Sequence, residues 1–124
     1  MPKVTVTLRN SYGGSHIVMS CKQLRGDINY AWPSAEIAVM GGAGAVEVLY
    51  AKEAKASDDP KKVLADREAE YNKLFCNPYN AAKYGYIDDV IEPSSTRFRV
   101  IRALEQLATK RVINPPKKHG NIPL

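Results

Sequence analysis

The stretch KVTVTLRNSYGGSHIVM, Lys3 to Met19, decides the fold. From Lys3 to Arg9 apolar and polar residues alternate at period two. The β-branched Val4, Thr5, Val6 and Thr7 suit a pleated, half-buried surface, so a strand is predicted that stops at Asn10-Ser11. Gly13-Gly14 then supply a tight turn, and Ile17, Val18, Met19 and Leu24 predict a short buried helix beginning near Gly13 to Ser15. A strand that turns through glycines into a helix leaves first-turn N–H groups without carbonyl partners. Such donors suit an oxyanion: glycine admits a ligand close to the backbone, and the helix dipole adds partial positive charge. A donor placed where negative charge develops contributes roughly 2.7 to 4 kcal/mol to a transition state. Adjacent glycines between strand and helix are more often a plain tight turn, so the motif needs support from the rest of the chain. His16 beside it is a candidate base, although a first-turn histidine is more commonly just solvated or hydrogen-bonded.

Outward from this segment, strands and helices alternate. Asp27 to Trp32 reads as a strand ended by Pro33, and Ile37-Ala38-Val39-Met40 as a short buried strand ended by Gly41-Gly42. A helix follows from near Ala43. Asp59-Pro60 places a cap before a proline at the first helical position of a surface helix through Leu64, Tyr71, Leu74 and Phe75. Asn77-Pro78 opens a helical turn that Gly85 closes in a left-handed conformation, and Tyr86 to Ile91 reads as a strand. Ser94 or Ser95 caps a last helix whose apolar face is Phe98, Ile101, Leu104 and Ala108, and Pro115-Pro116 mark its exit into an extended tail. The alternation predicts an α/β fold with helices packed on a sheet.

Composition excludes several classes. The 124 residues fit one domain, 44% hydrophobic and 25% charged, with no apolar run near the length of a membrane span. Met1 leads straight into the first strand pattern, so no signal peptide is read. Cys21 and Cys76 make no disulfide framework and fit a reducing compartment; with His16 and His119 isolated, no metal site is expected. The net charge of +5 arises in residues 93–124, where seven basic residues face the single acid Glu105. Phe98 is the only aromatic there and no binding motif accompanies it, so a solvated or subunit-facing surface is favoured over nucleic acid.

Other motifs fall away. From Gly42 a dinucleotide fingerprint needs a third glycine where Glu47 stands, so Gly41-Gly42-Ala43-Gly44 reads as a packing turn. Asp88 and Asp89 are neighbours on a strand and face opposite ways, which unsuits them to shared acid–base work.

Read together, KVTVTLRNSYGGSHIVMS, INYAWPSAEIAVMGGAGAVEVLY, NPYNAAKYGYIDDVIEPSSTR and the ending KKHGNIPL resemble the C-terminal part of the carboxyltransferase (β) subunits of biotin-dependent acyl-CoA carboxylases. They look most like propionyl-CoA carboxylase β, methylmalonyl-CoA decarboxylase α and the transcarboxylase carboxyltransferase. The resemblance runs from about Pro2 to Leu124, four blocks in the family's order and spacing. It implies a crotonase-like fold, with residues 1–124 one partial domain: the C-terminal portion of the second of two related domains, KHGNIPL being its natural end.

The resemblance also implies a role for the glycine turn. Gly14 and Ser15 would supply backbone N–H donors to the carbonyl of the biotin ureido ring, with Gly13 shaping the turn; a second donor pair, from the other domain of a neighbouring subunit, would hold the thioester. Many members carry alanine at the position of Ser15, which changes little where the donor is the backbone. Ile17 stands at a position associated with acyl-chain selectivity, where propionyl-preferring members often have aspartate. The implied reaction is carboxyl transfer between carboxybiotin and a short acyl-CoA such as propionyl-CoA or methylmalonyl-CoA: CO2 is released, biotin takes the acyl α-proton, and the enolate attacks CO2, with no metal. Implied partners are biotin carboxylase and biotin carboxyl carrier subunits in a homo-oligomer, a trimer of dimers, with no nucleic acid or direct membrane contact, in the cytoplasm or, in a eukaryote, the mitochondrial matrix. The alternatives are a non-catalytic assembly piece of such a subunit, inactive alone, and the α subunit of a sodium-pumping methylmalonyl-CoA decarboxylase.

Overall fold

Alternating side chains on a short strand sort the core into two layers. The computed structural model describes residues 1–113, 116 and 118. The first strand, β1, spans Val4–Thr7 and passes after a bend into β2, Asn10–Tyr12. The next pair, β3 (Ile28–Ala31) and β4 (Glu36–Ala38), runs alongside, so β1 pairs with β3 and β2 with β4, both in parallel. Across the bend the ladder is carried by Trp32 N–H donating to the Thr7 carbonyl at 2.9 Å and Glu36 N–H to that of Arg9 at 2.8 Å. β5 (Asp89–Val90) completes a three-stranded sheet in the order β1-β3-β5.

Period two then places neighbours on opposite faces. Tyr30 turns to one side and packs with Ile91, Ala103 and the partly buried Val4, Val6, Ile28 and Trp32. Ala31 turns to the other, with Ala35, Ile37, Ala81 and Ile87. Val4 and Val6 share the first layer as predicted, while Thr5 points away and its hydroxyl donates to the carbonyls of Met19 and Ser20.

The helices are α1 (Gly13–Val18), α2 (Gly42–Leu49), α3 (Ala51–Lys55), α4 (Pro60–Phe75), α5 (Pro78–Lys83) and α6 (Thr96–Gln106). The predicted caps form: an Asp59 carboxylate oxygen accepts from Lys62 N–H, Asn77 Oδ1 accepts from Asn80 N–H, and Gly85 follows α5 at φ 73°. α2 packs closely on α4 at Gly42, where a Cβ would lie 2.1 Å from Asn72 Oδ1.

Six expectations need correction. The strands read at Ile37 to Met40 and at Tyr86 to Ile91 are shorter, Glu36–Ala38 and Asp89–Val90, and Val39 and Met40 are exposed. The first strand does not end at Asn10-Ser11, since those residues begin β2. The helix after Gly13 is short, as expected, but not buried: it stops at Val18, Ser20 takes a left-handed φ of 64°, Lys22–Leu24 is a separate 3-10 turn, and Ile17, Val18, Met19 and Leu24 are exposed. Six residues at the rim of a two-stranded sheet have no second layer outside them. Ser95 takes the N-cap position of α6 but makes no side-chain cap, because its hydroxyl donates back to the Glu92 carbonyl. On α6 the predicted apolar residues Phe98, Ile101 and Leu104 are exposed, Ala108 lies beyond the helix end at Gln106, and Ala103, a small residue that lets the helix approach the sheet, is the one buried. Of the exit after α6, Pro115 lies outside the described residues, as do His119 and the last five positions.

Lys110 fastens the end of this helical segment to the start of the sheet. Its Nζ lies 2.6 and 2.7 Å from the Asp27 carboxylate oxygens, and Lys3 N–H donates to the same group at 2.8 Å. The hydrogen bond from Lys110, ahead of the other contributions, holds the Asp27 carboxyl below its ordinary value. A carboxylate whose pKa falls on folding stabilises the fold above its unfolded pKa, and that stabilisation disappears as pH drops through the folded value. Lys110→Met is therefore expected to lower Tm at neutral pH, with the gap to the unaltered protein closing below about pH 4. Melting curves across pH check this; a constant gap would remove the ion pair as its cause.

Candidate active site

β2 carries the chain to Tyr12, and Gly13 breaks its direction. Gly13 has φ 52°, and a Cβ there would lie 2.9 Å from the Val39 carbonyl oxygen, so backbone conformation and space both require glycine. Helix α1 starts at once, which leaves the Gly14 and Ser15 N–H groups in a first turn without carbonyls of its own. Among the described residues neither donates to another backbone carbonyl outside a helix or strand, and both residues are exposed. The Ser15 hydroxyl donates to the Tyr12 carbonyl at 2.6 Å, steadying the turn without using the amide.

Beside the turn lies a cavity of about 470 Å³, a size suited to a small ligand. Gly13, His16 and Ile17 form one wall, and Ile37 to Val39, Tyr71, Phe75, Ala81, Tyr84 and Tyr86 most of the rest. The four predicted site residues thus divide. Gly13 and Ile17 border the cavity, whereas Gly14 and Ser15 sit next to it on the solvent side.

His16 Nδ1 is 2.9 Å from Ser11 Oγ, and partial burial lowers its pKa, so the ring is neutral at neutral pH. The Tyr12 hydroxyl donates to Glu36; that hydrogen bond first, then burial and the Glu36 charge, push the phenol up to about 12. Asp88 and Asp89 do face apart, Asp88 accepting from Asn29 N–H at 2.8 Å and pairing with Lys22, and Asp89 lying 3.3 Å from Arg99. Neither lines the cavity. Arg99, Arg102 and Lys110 each meet a carboxylate, so part of the C-terminal positive charge is balanced within the chain. Among the described residues no three His, Cys, Asp or Glu side chains are grouped to hold a metal, and no helix is long and apolar enough to cross a membrane.

Sequence reasoning missed the aromatic wall and the Tyr12–Glu36 pair. Tyr71 and Phe75, one helical turn apart with ring centroids 5.0 Å from each other, read equally well as core spacing. Glu36 carried no signal in the sequence, since it shares a face with Ala38, opposite Tyr12, only through the register of β2 and β4.

Parallel strands, a glycine turn that presents backbone amides and an adjoining apolar cavity make an α/β fold that agrees with the crotonase-like class implied by the resemblance. The chain belongs to the carboxyl transferase domain family, which it matches over residues 1–122. It is 53% identical over 123 residues to the methylmalonyl-CoA carboxyltransferase 12S subunit of Propionibacterium freudenreichii subsp. shermanii, covering 99% of this chain and 24% of that protein. It is 54% identical over 124 residues to the propionyl-CoA carboxylase beta chain of Cereibacter sphaeroides, covering all of this chain and 24% of that one. Among solved structures the transcarboxylase 12S hexamer, with methylmalonyl-coenzyme A and methylmalonic acid bound, superposes with TM-score 0.91 at 52% identity, over 100% of this chain and 24% of that one. The chain therefore spans about a quarter of the length of the curated relatives it matches.

Proposed function

We propose that residues 1–124 are the C-terminal portion of a carboxyltransferase C-terminal domain, and that they supply one half of a site for carboxyl transfer between carboxybiotin and a short acyl-CoA. The observation that carries this reading is the pair of exposed backbone donors, Gly14 and Ser15, with no partner among the described residues, beside an apolar cavity. A ureido carbonyl gains negative charge as its carboxyl group leaves, and two N–H groups on a rigid turn fit that charge without reorganising. Biotin, carried on a partner, supplies the transferable carboxyl group; the chain's own task is to hold and orient. Gly13 fixes the direction of the donors, and Ile17 presents an apolar surface to the cavity where acyl selectivity would be set. The relatives' names support propionyl-CoA or methylmalonyl-CoA as the acyl partner, and the hexamer of a 52% identical structure supports a hexameric subunit; biotin carrier and biotin carboxylase are the partners that such a reaction requires.

A second reading, an assembly piece without activity of its own, is favoured by one observation. Val18, Met19, Val39 and Phe98 are all more than half exposed, apolar side chains that a longer subunit would cover. One experiment tests both. Carboxyl transfer from a carboxylated biotin carrier to acyl-CoAs is measured for the chain alone and with the remaining carboxyltransferase segment of a relative added in trans. Activity only in the mixture is expected, and with Ile17→Asp the preference among acyl-CoAs shifts by about tenfold or more. A mixture that assembles and stays inactive decides for the assembly reading; no association and no activity overturn both.

A further inference from the structure

The glycine turn is anchored from outside itself. Tyr12, the last residue of β2, stands opposite Ala38 in the parallel register, so Glu36, two residues earlier on β4, lies on the same face and within reach. There the Tyr12 hydroxyl donates to the Glu36 carboxylate. The phenol stays protonated throughout the neutral range, since its pKa is about 12, and remains a donor to a charged acceptor. The ring meanwhile lies against Gly41, where an added Cβ would come 3.4 Å from the aromatic edge. Gly41 is the N-cap of α2, and α2 packs on α4 through the close approach of Gly42 to Asn72. The second glycine cluster, a packing turn in the sequence reading, is thus the platform on which the residue before the first one rests.

We infer that Tyr12 and Glu36 are positioning residues: their hydrogen bond, with the ring seated on Gly41, sets the orientation in which Gly14 and Ser15 present their amides. The inference rests on the reading of those amides as carboxyl-transfer donors. Gly13 gives the turn its shape and its contact with Val39, but a glycine provides no side chain to hold the strand end in place. Tyr12 is the nearest residue that can do so, and its carbonyl also receives the Ser15 hydroxyl. A side-chain anchor one residue before a donor controls that donor's direction, and small misplacements of catalytic groups cost large factors in rate.

The test uses the full-length carboxyltransferase subunit bearing these residues, a carboxylated biotin carrier and an acyl-CoA. Tyr12→Phe and Glu36→Ala are each expected to lower kcat about tenfold while KM for the acyl-CoA stays unchanged. Glu36→Gln keeps an acceptor and recovers most of the rate. The double variant Tyr12→Phe/Glu36→Ala is no slower than the worse single one, as two halves of one interaction require. Additive losses, a Glu36→Gln rate as low as that of Glu36→Ala, or an acyl-CoA KM that rises in step would each overturn the positioning role. Where Glu36→Ala does not fold, the comparison of Tyr12→Phe with Glu36→Gln carries the decision. Gly14→Pro, assayed in parallel, separates the two levels: full turnover in it removes the donor reading itself, whereas an inactive Gly14→Pro beside a fully active Tyr12→Phe removes only the positioning role.

Discussion

Gly14→Pro is expected to lower kcat for carboxyl transfer by about a hundred- to a thousandfold, the usual consequence of deleting one oxyanion donor. Proline has no N–H, and near the start of a helix it is otherwise tolerated, so the loss is directed at the donor. Gly14→Ala is the control. Its amide is intact, its φ lies outside the left-handed region and its Cβ would meet nothing within 4 Å, so Tm should not change. Steady-state rates and melting curves of the two variants, measured side by side in the full-length subunit, check the expectation. Equal turnover in both would show that the Gly14 amide takes no part in the reaction.

Gly13→Ala should act on the fold as well as the rate. A left-handed φ of 52° costs an L-residue about 1 to 2 kcal/mol, and the new Cβ would sit 2.9 Å from a backbone oxygen, that of Val39. This neighbour belongs to the loop after β4 and cannot swing aside like a flexible side chain, so overpacking adds about 1 to 3 kcal/mol. Chemical denaturation is expected to register the sum, about 2 to 5 kcal/mol. Since any relief moves the turn, activity should fall by about a hundredfold as well. A variant as stable as the parent would mean that the turn is looser than its contacts imply. The adjacent glycines therefore separate by experiment: alanine is harmful at Gly13 and structurally silent at Gly14.

Much of this was legible in the chain because it rests on local chemistry. Val4 and Val6 share one face because the strand period is two. Asp59 and Asn77 cap their helices because each puts a side-chain oxygen in front of a proline-started turn. Gly85 ends α5 because a left-handed residue is needed there. The resemblance to acyl-CoA carboxyltransferase β subunits likewise lay in blocks that can be read off in order, and family membership follows from them.

Where local rules misled, the deciding partner was distant. Ile17, Val18 and Met19 are apolar and helical, so their spacing marks a surface that excludes water when covered, but no pattern within α1 says what covers it. On α6 the stripe through Phe98 and Ile101 drew the eye, while the sheet accepted Ala103, because the distance between helix and strands favours the small residue. Glu36 reaches Tyr12 only because two strands 24 residues apart in sequence run in register. The cavity gathers α1, β4, α4 and α5, none of which signals the others.

The sequence by itself determined the order of most elements, the caps at Asp59 and Asn77, the two glycines at the turn and the family, since each follows from what a residue does to its own backbone or from order along the chain. Tertiary structure alone decided which faces are covered, that Gly14 and Ser15 stand exposed beside a cavity rather than within it, and that Tyr12 is held by Glu36. Those are properties of distances between segments, and burial and register exist only once the segments have met.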